Sequence, residues 1–363
     1  MKLLWITNIP SPYRLDFFSA LGEQTELTVL FEKANSDERD ESWTHYEFKN
    51  FQGILLKGIS IGTDKAFAPQ VIQYLKKEYD AIIVSDFLSP TGMLAIAYLK
   101  ARKMPYYIES DGGFYSQNNS VITAIKRFSI KGAEGYFSTG EEHDRYYIGY
   151  GAAKDRLIRY PFSSVRERDI LKHPLRVEEK KNLRTDLGIP TDKPMIVSVG
   201  QMIPRKGFDI LAEAVKGLDV YTYIIGGEAP ENDQAIQVRG VHCLPFKAKK
   251  EVYQWLGMAD LFVLPTRYDI WGLVVNEAMA CGLPVITTDR CLAGLEMVKE
   301  GINGYLVPVE DIEATRKAII TVLESDKAEE MSLNNIETAR QYTIETMVCS
   351  HMKIFREKVT NKQ

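Results

Sequence analysis

One uninterrupted stretch constrains the fold more than any other: Leu261 to Thr288, LFVLPTRYDIWGLVVNEAMACGLPVITT. The apolar run Leu261–Pro265 reads as a strand, and a loop carrying Asp269 follows it. A helical pattern then opens near Gly272, and Gly282 with Pro284 beyond it stops the helix. Pro284–Thr288 reads as a second strand. Strand, helix and strand in such close succession predict a right-handed βαβ unit, and hence a parallel sheet covered on both faces.

The same grammar occurs at two starts. Lys2–Thr7 (KLLWIT) and Met195–Val199 (MIVSV) are short apolar runs followed at once by turn residues and then by helical patterns, as at the first strand of a parallel α/β sheet. Ala81–Ser85 and Tyr106–Glu109 add strands to the first half, with a helix near Ser89–Lys103 between them. Tyr221–Ile225 adds one to the second half, alternating with helices Phe208–Lys216 and Lys250–Met258. A chain of 363 residues has room for two such units at roughly 100–200 residues each. The charged segment Ser163–Lys193, with Pro174 and Pro190, is the expected boundary, giving domains at 1–165 and 166–343. Residues 344–363 space Met347, Val348, His351, Met352, Phe355 and Val359 helically and are expected to form a closing helix.

Several function classes drop out. Hydrophobic residues at 45% and charged residues at 26% describe a globular chain rather than a disordered or fibrous one. The charge balance, 45 − 49 = −4, supplies no field for nucleic acid. Cys243, Cys281, Cys291 and Cys349 form no CxxC pair, so neither a zinc site nor a disulfide framework is expected, and a reducing cytoplasm fits. The run Met1–Ile6 is too short for a signal-peptide core, and no window of about 18 apolar residues spans a membrane. Asn8–Arg14 contains no glycine and Gly200 stands alone, so a G-x-G-x-x-G dinucleotide loop is missing after both first strands, and no Walker loop occurs anywhere.

Chemistry concentrates at the helix opening near Gly272. The amides of Gly272, Leu273 and Val274 precede the first intrahelical acceptors, and such a helix start attracts anions such as phosphate. Glu277 lies about 7.5 Å further along the axis, an offset that suits ribose hydroxyls beyond a diphosphate. By spacing alone Glu277 reads equally well as a solvated helix residue.

This stretch resembles the carboxylate-x7-carboxylate signature of retaining glycosyltransferases of family 4, whose GT-B fold sets two Rossmann-like domains across a cleft. The resemblance implies that Glu277 holds the nucleotide ribose and that Asp269 lies near the transferred sugar. The family usually has Glu at the latter position, so this chain is shorter there by one methylene. Ser198–Phe208 (SVGQMIPRKGF) looks like the family segment that presents a lysine to the diphosphate, here Lys206. The family commonly has Arg directly after that glycine; Gln201 stands in its place, with Arg205 as the replacement cation. Ile224–Glu228 resembles the strand-to-glycine turn beneath the nucleotide, where Gly226 permits close backbone approach. Leu244–Lys247 resembles the loop that cups the base, which makes Phe246 either a neighbour of the base or ordinary core.

The resemblance weakens in the first half. Arg14, in the turn after the first strand, reads as an acceptor-side cation meeting an anionic group such as a lipid diphosphate, or as a cap on a neighbouring strand. Many relatives place a histidine after the strand equivalent to Tyr106–Glu109. This chain has Glu109-Ser110-Asp111-Gly112-Gly113 there, so Asp111 is the substitute near the sugar, and Gly112 and Gly113 permit close approach. Ala124–Lys131 alternates apolar and basic residues at helical spacing and reads as an ordinary surface helix or as one resting on an anionic bilayer. The resemblance implies transfer of a sugar, most commonly from a UDP donor, to a saccharide or lipid-linked acceptor in polysaccharide synthesis. It further implies retained configuration, no metal or other cofactor, a closing helix that returns to the first domain, and hinges near Ser163 and Ile344. Two alternatives share the architecture: a nucleotide-sugar epimerase or hydrolase, and a non-catalytic nucleotide-sugar-binding subunit.

Overall fold

Strand β1 (Lys2–Thr7) buries Leu3, Leu4, Trp5 and Ile6 completely, on both of its faces. A strand with no solvated face belongs in the middle of a parallel sheet with helices on either side. A computed structural model of the protein, describing residues 1–35, 47–117, 121–227 and 240–360, places it there. The first sheet also holds β2 (Glu26–Phe31), β3 (Gln52–Leu55), β6 (Ala81–Val84), β7 (Tyr107–Glu109), β8 (Gly135–Ser138) and β9 (Leu157–Arg159). Its order is β3-β2-β1-β6-β7-β8-β9, all parallel, with a separate antiparallel hairpin of β4 (Ile59–Ile61) and β5 (Lys65–Phe67).

The second sheet consists of β10 (Met195–Val199), β11 (Tyr221–Ile225), β12 (Val241–Leu244), β13 (Leu261–Leu264), β14 (Val285–Thr288) and β15 (Gly304–Val307). Its order, β12-β11-β10-β13-β14-β15, is that of a doubly wound α/β fold, and every pairing is parallel. Both sheets therefore reverse direction beside their first strand: between β1 and β6 in one, between β10 and β13 in the other. Open α/β sheets bind ligands at such a switch point, outside the carboxyl ends of the strands.

The chain divides into one unit of residues 1–164 with 344–363, and a second of 165–343. The helix Ile344–Thr360 packs against the helix Pro12–Gly22 of the first unit. His351 on it stacks on Phe137 at 4.2 Å between centroids and lies 5.7 Å from Trp5. Phe355, Met347 and Met352 are buried with it, and each large apolar side chain taken from water contributes about 1.5–3 kcal/mol. Expected strands and helices are found where the patterns put them, with ends shifted by a residue or two: β7 starts at Tyr107, β13 stops at Leu264 and the helix before β7 runs Pro90–Ala101.

Candidate functional site

At the switch point of the second sheet, the loops leaving β10 and β13 are stitched together. Lys206 ends a short 3-10 turn, Pro204–Lys206, and its Nζ donates to Asp269 Oδ2 at 2.5 Å. Both side chains are nearly buried, at 12% and 10% exposure. Arg205 extends Nη1 to within 3.4 Å of Asp269 Oδ1 and donates to the Tyr268 carbonyl at 2.7 Å. Two cations against one carboxylate leave a net positive site. Lys206 has three N–H donors, and Asp269 takes one.

Beside this pair the helix Leu273–Ala280 begins. Its N-cap, Gly272, has φ +99°, and a Cβ there would meet Cys291 Sγ at 2.7 Å, so only glycine turns the chain into the helix at this point. The first amide to find an acceptor is Val275, which bonds the Gly272 carbonyl at 2.8 Å. The preceding amides of the turn have no acceptor within the helix and carry its positive dipole end. Trp271 is buried next to this turn and donates from Nε1 to Asn276 Oδ1 at 2.8 Å, which fixes the helix start from below. Glu277 follows on the same helix, half-buried.

The neighbouring strand ends are laced by backbone bonds. Gly200 N–H donates to Ile225 O at 2.9 Å, and the amides of Gly226 and Gly227 both donate to Leu244 O. A Cβ on Gly226 would lie 2.1 Å from the Gly200 carbonyl and 3.4 Å from Gln201 N, so the close approach expected of this glycine is to the β10 loop. Glu228, the end of that motif, lies outside the described residues. Phe246, two residues past β12, is 48% exposed, so it is not core. The thiols of Cys281 and Cys291 are both pushed up to about 12, chiefly by burial, and neither supplies a nucleophile at neutral pH.

Arg267 was not anticipated. Its guanidinium grips Asp209 bidentately at 2.9 and 2.7 Å, donates to Glu310 from Nε and reaches the Pro204 carbonyl at 2.5 Å. Burial opposes ionisation of Asp209, but the hydrogen bonds from Arg267 outweigh it and hold the carboxyl below its ordinary range. No local pattern signals this arrangement, since its members come from three separate loops.

The first domain's switch point is organised differently. Arg14, expected at the acceptor edge, is 4% exposed and stretches between two carboxylates, Glu109 Oε1 at 2.6 Å and Asp111 Oδ1 at 2.5 Å. Glu109 also accepts from Ser85 at 2.5 Å and Tyr160 at 2.8 Å, while Tyr13 donates to Asp111 at 2.6 Å. Burial raises the pKa of Glu109, but Arg14 more than reverses that and the net direction is down. Burial raises that of Asp111 as well, and there Arg14 does not win because the Glu109 charge adds to the burial; the net direction is up. Gly113 packs under the Tyr146 ring, where a Cβ would meet the ring carbons at 2.9 Å, and Gly112 precedes it at φ +145°. A histidine absent from the sequence expectation stands here. His143 accepts from the Thr139 amide at Nδ1, so its Nε2–H donates to Ser110 at 2.9 Å, and burial pushes its pKa down to about 3. Among the described residues, no three His, Cys, Asp or Glu side chains gather as a metal site.

Two doubly wound parallel sheets, one carrying a cation pair and a helix start at its switch point, define the GT-B class of glycosyltransferase fold. The structure of Anabaena Alr3699/HepE in complex with UDP superposes with a TM-score of 0.76 at 16% identity, covering 98% of this chain and all of that one. Residues 179–342, most of the second domain, match the family model for glycosyl transferases group 1. A D-inositol 3-phosphate glycosyltransferase of Xylanimonas cellulosilytica is 28% identical over 202 residues, 52% of this chain and 48% of the relative. The lipopolysaccharide core biosynthesis glycosyltransferase LpsE of Rhizobium meliloti is 32% identical over 145 residues, 38% of this chain and 41% of the relative. The chain thus spans about half the length of these curated relatives.

Proposed function

We propose that the chain transfers a sugar from a nucleoside diphosphate donor, UDP-linked, to an acceptor hydroxyl with retained configuration. The observation that carries this reading is the meeting of Lys206, Arg205 and the first amides of the Leu273–Ala280 helix at one switch point. These groups offer fixed positive charge where a pyrophosphate gains negative charge as the glycosidic bond breaks, which is the strongest form of transition-state stabilisation a protein supplies without a metal. Glu277 is assigned the ribose hydroxyls, Phe246 the base and Asp269 the sugar side of the pocket. The donor phosphate accepts the acceptor's proton in a front-face transfer. The UDP held by the Anabaena protein supports the choice of base.

Loss of one preorganised donor costs about 2.7–4 kcal/mol of transition-state stabilisation. Lys206→Ala should therefore lower turnover about a hundredfold or more, measured with the UDP-sugar that most raises the thermal midpoint of the wild type. Normal turnover by the variant would refute the assignment. Release of sugar without any acceptor would favour the hydrolase or epimerase reading, and donor binding with no turnover under any acceptor would favour a binding subunit.

The acceptor is proposed to be a saccharide carried on a membrane lipid. Supporting this, the helix Val121–Ile130 exposes Val121 at 78%, Ile122 at 62% and Phe128 at 48%, with Arg127 and Lys131 also exposed. Among the described residues no helix is long and apolar enough to cross a membrane, so the contact would be peripheral. Co-sedimentation with anionic vesicles should fall on Val121→Asp with Ile122→Asp; unchanged pelleting would remove the lipid part of the reading.

A further inference from the structure

We propose that Asp209, Arg267 and Glu310 form a latch that fixes the Lys206 loop against the Asp269 loop, which makes Arg267 a positioning residue for the donor site. The inference rests on the donor reading above for its purpose, but not for its geometry. Three loops leave the carboxyl edge of the second sheet after β10, β13 and β15, and Arg267 is bonded to all of them. It holds Asp209 in the first turn of the helix Phe208–Val215, the Pro204 carbonyl in the turn that ends in Lys206, and Glu310 after β15. The backbone repeats the tie. Arg267 N–H donates to the Arg205 carbonyl at 2.8 Å, and Thr266 Oγ1 donates to the same oxygen at 3.0 Å. Lys206 is one residue from that shared carbonyl, and Asp269 is two residues from Arg267. The 2.5 Å contact between Lys206 and Asp269 is therefore held from behind by the latch.

Two observations argue that the latch serves geometry rather than bulk stability. Its members are partly solvated, at 27% exposure for Arg267, 36% for Asp209 and 57% for Glu310, and ion pairs in water contribute little to folding. Glu310 also sits at φ +67°, a left-handed backbone that costs a residue with a side chain. Glycine would remove that strain. A glutamate in its place has one visible use, the bond from Arg267 Nε.

The experiment uses the full chain, with Arg267→Met, which keeps the length of the side chain and loses every donor, and Arg267→Lys as a milder variant. In ligand-free protein, Arg267→Met should raise amide exchange in residues 200–209 and 265–270 by about tenfold or more while the sheet interior stays protected. UDP affinity by calorimetry should fall by about tenfold, a fraction of the hundredfold that a 1 Å misplacement can cost. Affinity for uridine, which lacks the phosphates, should stay within about twofold. Arg267→Lys should lie between the two, and Glu310→Gly should weaken UDP binding without lowering the thermal midpoint, because it releases strain as it removes one arm. Unchanged exchange in both loops, or equal losses of UDP and uridine, would overturn the latch. Wild-type protein that binds none of UDP, GDP or ADP would overturn the donor reading instead, and the exchange measurement would still decide the latch.

Discussion

The two sheets share a strand order and a switch point, yet they use charge at that edge in opposite ways. In the first domain, Arg14, Glu109, Asp111, Tyr13, Tyr160 and Ser85 bond mainly to one another, and Glu109 has no exposed surface. In the second, Lys206 and Arg205 share one carboxylate, a helix start adds its amides, and Phe246 stands in solvent. A buried network that satisfies itself makes a rigid wall. An edge with donors to spare is what the proposed donor site needs. The same topology thus yields a scaffold or a site, according to whether each charge finds its partner within the protein.

Glu109→Ala gives the largest test of that contrast. It removes one of the two carboxylates that hold the buried Arg14 charge and strips Ser85 and Tyr160 of their acceptor, and should cost about 3–5 kcal/mol in denaturant unfolding while leaving UDP affinity in the second domain unchanged. A loss below about 1 kcal/mol would mean the first-domain network is not structural.

His351 sharpens the comparison through pH. Burial pushes its pKa down to about 4, its Nδ1–H donates to the Met347 carbonyl at 2.8 Å, and its buried Nε2 has no partner. The folded value lies below the unfolded one of 6.5, so the neutral ring's contribution is complete above about pH 6.5 and is lost as pH falls toward 4. Glu32, raised to about 8 by burial, changes in the opposite sense, so the useful quantity is a difference between two chains that both contain it. Whatever its absolute stability, His351→Phe should gain on the wild type by up to about 3 kcal/mol between pH 6.5 and 4, at 1.36 kcal/mol per tenfold. Parallel stability curves over that window would contradict the assignment.

Phe246→Ala is the smallest effect and the mirror image of the first. Stability should move by less than about 0.5 kcal/mol, as for other exposed positions. UDP binding should lose about 0.5–1.5 kcal/mol, the worth of an aromatic stack. Equal affinity in wild type and variant would remove Phe246 from the base pocket.

The central strands were legible because burial on both faces writes an unbroken apolar run into the chain, as in KLLWIT and LFVLP. The edge strands β9 and β12 and the hairpin β4–β5 were not, since three or four residues, mostly half-buried or exposed, leave no apolar run to read, and β8, though buried, is only four residues long and lies inside the sheet beside β9. Lys206, Asp269 and Glu277 could be singled out for a similar reason: they lie in continuous motifs that surround a single helix start, and the structure brings Lys206 and Asp269 into contact. The surroundings of Arg14 were hidden because Glu109 is 95 positions away and arrives through the order β1-β6-β7, which no local pattern encodes. His143 was missed likewise, being carried to Ser110 by the helix Glu141–Gly149 rather than by the loop where a histidine was sought. Arg267 gave no cue, because its meaning lies in three loops at once.

The return of the last helix to the first domain has a consequence for biogenesis. Trp5, Phe17, Phe137 and Tyr160 receive their final aromatic cover only when His351 and Phe355 arrive, after the whole of residues 165–343 has been made. At 5–20 residues per second, those 343 − 165 + 1 = 179 residues take about 9–36 s. For that interval the nascent chain presents an uncapped aromatic face to chaperones and proteases, and the half synthesised second can reach its native state before the half synthesised first.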